Sequence, residues 1–248
     1  MTNILDKIAS SKRTRKYLWS VFGRPRKVSL NGVIIDLDCP AISDRVARSM
    51  YLQLYERAET GVVLRTLEQG DRVLELGAGI GYMSTLCAQK IGSEHVNAVE
   101  ANPAMEAEIR RTYRLNGVSP NLEMCVLGDS DGEATFHVED NYSSSSVHDR
   151  GGRPVTVRQR SFGGLLAELR PTYLICDIEG AEVPLLLNTP LDGVRKVCIE
   201  IHPHIIGDAA CSQLVHKLLS EGFACNWDRS GGRVYYFYRD APGPGVAN

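Results

Sequence analysis

The chain has no CxxC pair, no apolar run near membrane-spanning length, and no excess of charge of either sign. Its seven cysteines are odd in number and scattered, so neither a zinc ligand set nor a disulfide framework is spelled out. Four of them, Cys87, Cys125, Cys176 and Cys198, sit inside apolar runs, where a thiol behaves as a small buried hydrophobe. A reducing, cytoplasmic setting is the expectation. A membrane span would need roughly 20 consecutive apolar residues, and the amino terminus lacks the apolar core and small-residue cleavage site of a secretory signal. The formal net charge of -2 argues against a nucleic-acid partner, whose electrostatic footprint is a strongly basic domain. What is present is ordinary for a globular chain: 248 residues, 43% hydrophobic and 23% charged, enough for one large α/β domain.

Residues 3–22 alternate apolar and basic positions, from Ile4, Leu5 and Ile8 through Lys12, Arg13, Arg15 and Lys16 to Trp19 and Phe22. This predicts an amphipathic basic helix ended by Gly23 and Pro25. It serves as a cap on the main domain or on a second copy in a homodimer, with peripheral membrane contact as the alternative. "KVSL-NG-VIIDLD" follows, and Asn31-Gly32 is a hairpin signal because both turn positions tolerate positive φ. Residues 1–41 thus read as a helix-and-hairpin extension. Helical spacing occupies 42–68, and from Asp71 strands and helices alternate. The strand cores fall at 73–76, 96–100, 122–127, 173–177 and 197–201, with helices at 83–90 and 105–115. Near-continuous apolar strands are expected where helices cover both faces of a parallel sheet. The main domain spans 42–240. Residues 129–162 interrupt it with two β-prone runs, "EATFHV" and "VTVRQRSF", around a serine-rich polar loop, a candidate flap over a substrate. "FACNW-DRSGG-RVYYFYR" predicts a closing hairpin, and 241–248 a disordered tail.

The chemistry begins at "RVLELGAGIGYMS", residues 72–84. A nicotinamide fingerprint requires G-x-G-x-x-G after a strand. Here Gly77 and Gly79 fit, but the third position is Tyr82. A glycine turn without that spacing still lets backbone lie close against a ligand, since glycine carries no Cβ. The next strand ends at Glu100 in "NAVEANP", where a carboxylate can accept both hydroxyls of a ribose. "YLICDIEGAEVPLL" closes the fourth strand with Asp177 and Glu179, and "VCIEIHPH" closes the fifth with Glu200 and His202. In an open α/β sheet, ligands bind outside the carboxyl ends of the strands where strand order reverses, so these four should converge. Glu182 reads as an acid at a helix start. Arg158 and Arg160, two apart on one strand, read either as a grip for an anionic acceptor or as a solvated edge.

Glu75-Leu76-Gly77-Ala78-Gly79-Ile80-Gly81 resembles the first motif of the class I S-adenosylmethionine-dependent methyltransferases. With "VEANP", "DIEGAE" and "VCIEIHPH", residues 42–204 resemble the FkbM family of these enzymes, which methylate oxygen on sugars, polysaccharides and polyketide-type products. The resemblance implies an α/β fold with a doubly wound, mostly parallel seven-stranded sheet. It also implies S-adenosylmethionine as donor, held by Glu75, Gly77, Ala78, Gly79, Gly81, Tyr82, Glu100, Ala101, Asn102, Leu127, Gly128 and Asp177. Glu75 would face the methionine ammonium, and Leu127 with Gly128 would border the adenine. The acceptor would be a small hydroxylated molecule or glycan, with Asp177 the first choice of base, His202 the second, and Glu179 and Glu200 beside them. The chain departs from the family pattern at Ile175, where a lysine is common, at Gly79 in "GAGIG", and at Ser161-Phe162. The same acids, Asp177, Glu179 and Glu200, offer hard oxygen ligands for Mg²⁺, but the Asp-Asn pair of catechol-type enzymes is missing after the fifth strand, so a metal-free site is the expectation. The alternatives are an N-methyltransferase of the same fold, against which the absence of the Asn/Asp-Pro-Pro-Tyr/Phe run speaks, and a non-catalytic module that binds S-adenosylmethionine, against which the acids at both strand ends speak.

Overall fold

The computed structural model describes residues 12–40, 42–138 and 152–240. The serine run, the first half of the predicted amino-terminal helix and the 241–248 tail lie outside them. A basic helix, α1 (Lys12–Phe22), leads into the hairpin β1 (Lys27–Leu30) and β2 (Val33–Asp36). Leu30 pairs with Val33 across the predicted turn, in which Asn31 and Gly32 take φ of 51° and 91°. The helical stretch that follows is two helices rather than one, α2 (Asp44–Tyr51) and α3 (Arg57–Thr66). The Ser43 hydroxyl caps the first by accepting from the Val46 N–H.

β3 (Val73–Leu76), α4 (Tyr82–Ile91), β4 (Val96–Glu100), α5 (Glu106–Asn116) and β5 (Asn121–Met124) form the first half of the central sheet. The predicted strand 122–127 then divides. At Cys125, whose amide bonds the Glu100 carbonyl at 2.9 Å, the chain leaves the sheet. β6 (Val126–Gly128) pairs instead with the insertion strands, β7 (Gly132–Val138) and β8 (Arg153–Ser161), in a separate three-stranded sheet of order β6-β8-β7. The apolar run is continuous, so composition alone could not show that its two halves belong to different sheets.

α6 (Phe162–Leu169), β9 (Tyr173–Cys176), α7 (Glu182–Leu187), β10 (Lys196–Glu200), α8 (Pro203–Ile206), α9 (Asp208–Ser220), β11 (Ala224–Cys225) and β12 (Val234–Tyr238) complete the fold. The seven-stranded order is β11-β12-β10-β9-β3-β4-β5, with β12 antiparallel to both neighbours and β10-β9-β3-β4-β5 parallel. This is the expected doubly wound, mostly parallel architecture. Alternation along each strand feeds two cores. Val73, Tyr173, Ile175 and Cys198 join α4 and the hairpin on one face. Leu74, Leu76, Leu174, Cys176, Val197 and Ile199 join α6, α7 and α9 on the other. Both faces are therefore dry, as the apolar strands require. Val28, Leu30, Val33 and Ile35 of the hairpin sit in the first core, so the extension packs onto the main domain. Strand order reverses between β3 and β9, which places the tips of those two strands side by side.

Candidate active site

At that reversal lies a cavity of about 730 Å³, within the usual range for small-ligand sites. Its floor is the β3 turn. Gly77 has φ of 88°, and a Cβ there would collide with the backbone carbonyl of Asp177 and come within 3.3 Å of Ile178. No other residue lets the two strand tips approach this closely. Gly79 donates its N–H to Glu100 Oε2 at 2.8 Å, and Asn102 donates to Oε1 at 2.8 Å. The Glu100 carboxylate is thereby fixed on the cavity wall, with lone pairs left over for further donors. Val99, Cys125, Val126, Leu127 and Phe136 supply an apolar wall next to it.

Of the residues assigned to the donor, Gly77, Gly79, Glu100, Ala101, Leu127, Gly128 and Asp177 line this cavity. The others stand behind it. Glu75 shares a strand face with Val73, so alternation carries it under α4, where the Ser84 hydroxyl and amide hold it and burial pushes its pKa well up. Ala78 is buried with its N–H on the Val99 carbonyl. Gly81 takes φ of 75° because a Cβ there would meet Ile109 at 2.9 Å and Tyr113 at 3.0 Å, so it serves helix packing. The Tyr82 hydroxyl accepts from Asn31 at 2.8 Å and lies 3.2 Å from the Thr60 hydroxyl. Asn102 caps the next turn through the Ala104 N–H.

The four residues assigned to catalysis do converge. His202 is buried, with Nε2 3.7 Å from Asp177 Oδ1, 3.6 Å from Glu179 Oε2 and 3.7 Å from Glu200 Oε1. Its Nδ1 is 2.7 Å from Glu182 Oε1. Glu182 does start a helix, but its side chain is 0% exposed and turns inward to His202. Burial opposes the imidazolium, yet the Glu182 bond and the charges of Glu182, Glu179 and Glu200 outweigh it and raise the His202 pKa. Asp177, Glu179 and Glu200 line the cavity, whereas His202 stands behind them. Asp177 Oδ1 is buried without a hydrogen-bond partner. Burial, then Glu200, Glu179, Glu56 and Glu59, drive the Asp177 pKa well up. His204, across Pro203, is exposed and lies 3.2 Å from Arg233.

Several charged cavity residues escaped the sequence reading, among them two acids and an arginine beside the catalytic cluster. Glu56 and Glu59 come from the start of α3, and Arg233 precedes β12, its Nε 3.2 Å from Glu200 Oε1. Burial pushes Glu56 to about 7, and burial with the Glu56 charge pushes Glu59, hydrogen-bonded to Glu200, to about 8. Glu56 (φ 42°) and Glu179 (φ 51°) are held in the left-handed region that non-glycine residues avoid, a strain that concentrates at functional sites. Arg160, offered as an acceptor grip, is committed elsewhere: it binds Glu123 and Glu168, each at 2.9 Å. Ligand atoms of Asp177, Glu182 and His202 lie within 4.8 Å of one another, a different set from the three acids predicted to suit a cation. Within that set, His202 Nδ1 and Glu182 Oε1 already lie 2.7 Å apart.

The residues present suit a cationic nucleoside. An acid-rich cavity matches a sulfonium and an ammonium, the fixed Glu100 carboxylate matches a ribose, and the bare glycine turn leaves room for both. A family model described as the methyltransferase FkbM domain matches residues 75–223. A protein-lysine N-methyltransferase EFM3 from Chaetomium thermophilum is 30% identical over 91 residues, 37% of this chain, and the match spans a quarter (25%) of that protein's length. Among solved structures, a ribosomal protein L11 methylase from Lactobacillus delbrueckii subsp. bulgaricus is similar at 14% identity and a TM-score of 0.44, over 75% of this chain and 77% of that one. A methyltransferase from Pyrococcus furiosus is similar at 11% identity and a TM-score of 0.40, over 94% and 95%. No helix among the described residues is long and apolar enough to cross a membrane.

Proposed function

The chain belongs to the FkbM methyltransferase family, and from that premise we propose that it transfers a methyl group from S-adenosylmethionine to a hydroxyl of a sugar, glycan or other hydroxylated small molecule. The observation that carries this reading is Asp177 Oδ1: buried, without a hydrogen-bond partner, on the cavity wall at the tip of a central strand, beside the glycine turn. Glu100 would hold the ribose, Leu127 and Gly128 would border the adenine, and Gly77 and Gly79 would pass closest to the donor's methionine end. When bound, S-adenosylmethionine supplies an electrophilic methyl on a sulfonium that departs as a neutral thioether.

What the chain supplies is placement and a base. Holding an acceptor oxygen in line is worth about 7–11 kcal/mol where the geometry is fully fixed. An unactivated alcohol must also lose its proton as the new O–CH₃ bond forms, and the Asp177 carboxylate takes it. A base whose pKa is raised holds the proton it takes more tightly than an ordinary carboxylate does. His202, its own pKa raised by Glu182, Glu179 and Glu200, is the counter-charge available where Asp177, Glu179 and Glu200 gather. With all seven cysteines free and six buried, a cytoplasmic setting suits the chain.

The test is methyl transfer from radiolabelled donor to a panel of mono- and oligosaccharides, with a lysine peptide alongside because a lysine methyltransferase is among the similar proteins. Label on a hydroxyl supports the reading. Label on the peptide amine alone overturns it.

A further inference from the structure

A second cavity, of about 700 Å³, adjoins the first across α3. The two share a wall made of Leu54, Tyr55, Arg57, Ala58 and Gly231. Their charges are opposite. The donor cavity is lined by Glu56, Glu59, Glu100, Asp129, Asp177, Glu179 and Glu200 against only Arg57 and Arg233. The second is lined by Lys12, Arg57, Arg65 and Arg229 against only Asp228.

Local structure sets two of these cations along the groove. Arg57, Gly61 and Arg65 are four apart on α3 and so share one helix face. Gly61 bears no side chain, and the Arg65 guanidinium folds back over it, 3.6 Å from where a Cβ would stand. Arg229 reaches from the loop before β12, its guanidinium 6.0 Å from the Tyr236 ring centroid. Among the described residues none of the four cations forms an ion pair with an acid, although acids are plentiful one wall away. Like charges lining one groove without an acid partner repel, and an anionic ligand removes that cost. Arginine also suits planar two-point recognition of phosphate or carboxylate.

Resting on the methyl-transfer reading above, we infer that this groove is the acceptor site and that the acceptor is anionic, carrying a phosphate, sulfate or carboxylate that Arg57, Arg65, Arg229 and Lys12 grip while its hydroxyl reaches over the Tyr55–Gly231 wall toward Asp177. The two cavities thereby sort the two substrates by charge: the cationic donor is drawn into the acidic one and rejected by the basic one, and the acceptor the reverse. Of the described charged residues, only Arg57 lines both, which puts it at the crossing point between them.

The experiment uses the full chain saturated with S-adenosylhomocysteine and titrates glucose 6-phosphate, glucuronate, glucose and a ten-nucleotide single-stranded RNA by calorimetry. Arg65→Glu and Lys12→Glu, both at exposed positions that line only the second groove, are titrated in parallel. Glucose 6-phosphate or glucuronate is expected to bind at least tenfold tighter than glucose, to lose at least tenfold in each variant, and to leave S-adenosylhomocysteine affinity within threefold, which also reports that the variants are folded. Equal binding of the charged and neutral sugars, or charged-sugar binding that survives both reversals, overturns the inference and leaves the methyl-transfer reading standing. RNA binding tighter than either sugar overturns it in favour of a polynucleotide acceptor. Failure of the wild-type chain to bind S-adenosylhomocysteine overturns the methyl-transfer reading itself, and this inference with it.

Discussion

The imidazole Nδ1 of His202 lies 2.7 Å from the Glu182 carboxylate, and both side chains are sealed from solvent. On the far side of the ring, Nε2 faces Asp177, Glu179 and Glu200 at 3.6–3.7 Å, beyond hydrogen-bond length but well within Coulombic reach. One imidazole ring thus stands between four acids, and they raise its pKa. Removing one member of a buried pair leaves an uncompensated charge, which costs about 3–5 kcal/mol. Glu182→Ala should therefore lower the unfolding free energy by that order, and in any variant that still folds the His202 pKa should fall, read by NMR titration. An unchanged His202 titration would remove Glu182 from this role.

Asp177→Asn keeps shape and removes the base. Donor binding should persist within a few-fold, measured with S-adenosylhomocysteine, while turnover drops at least a hundredfold, within the usual ~10²–10⁴-fold contribution of general-base catalysis. Turnover equal to wild type would place the base elsewhere.

Gly77→Ala brings a methyl against the Asp177 carbonyl and forces a side chain into φ of 88°. Overpacking of this kind costs about 1–3 kcal/mol, and the displaced strand tips should spoil the donor site as well. Both a lower melting temperature and weaker S-adenosylhomocysteine binding are expected. A variant as stable and as tight-binding as wild type contradicts the close approach of β3 and β9.

The pH dependence has a fixed sign. Glu56 and Glu59 are raised from 4.5 to about 7 and about 8, and Asp177 and His202 are raised too. A group with a folded pKa above its unfolded one lends stability that is complete below the unfolded pKa and is lost as pH rises through the folded one. The melting temperature of the ligand-free chain should fall between pH 5 and 8.5. A bound sulfonium offsets the emerging negative charge, so the extra stabilisation by S-adenosylmethionine over S-adenosylhomocysteine should grow over the same range. Thermal scans in which both ligands stabilise equally at every pH would contradict a cation-binding acidic cavity.

Much of this was legible in the sequence where local rules suffice. The Asn31-Gly32 turn, the glycine loop after β3 and the apolar strands each follow from backbone sterics or period. Asp177, Glu179, Glu200 and His202 were placed together because strand tips meet where strand order reverses. Glu56 and Glu59 were not legible, since nothing in the spacing of 42–68 says that a helix start will lie against the tip of β10. The Glu182–His202 pair joins residues 20 apart, and only the neighbouring of β9 and β10 brings them together. Glu75 is different: its shared face with Val73 already pointed it under α4, away from the cavity. The division at Cys125 had no signal in composition, because both halves of the run are apolar.

A crystal structure of the full chain with S-adenosylhomocysteine puts the donor assignment to a decisive test. The ribose hydroxyls should rest on Glu100 and the sulfur should face the Asp177 carboxylate across the tips of β3 and β9. An adenosyl group bound anywhere else, or Asp177 turned away from the sulfur, contradicts it.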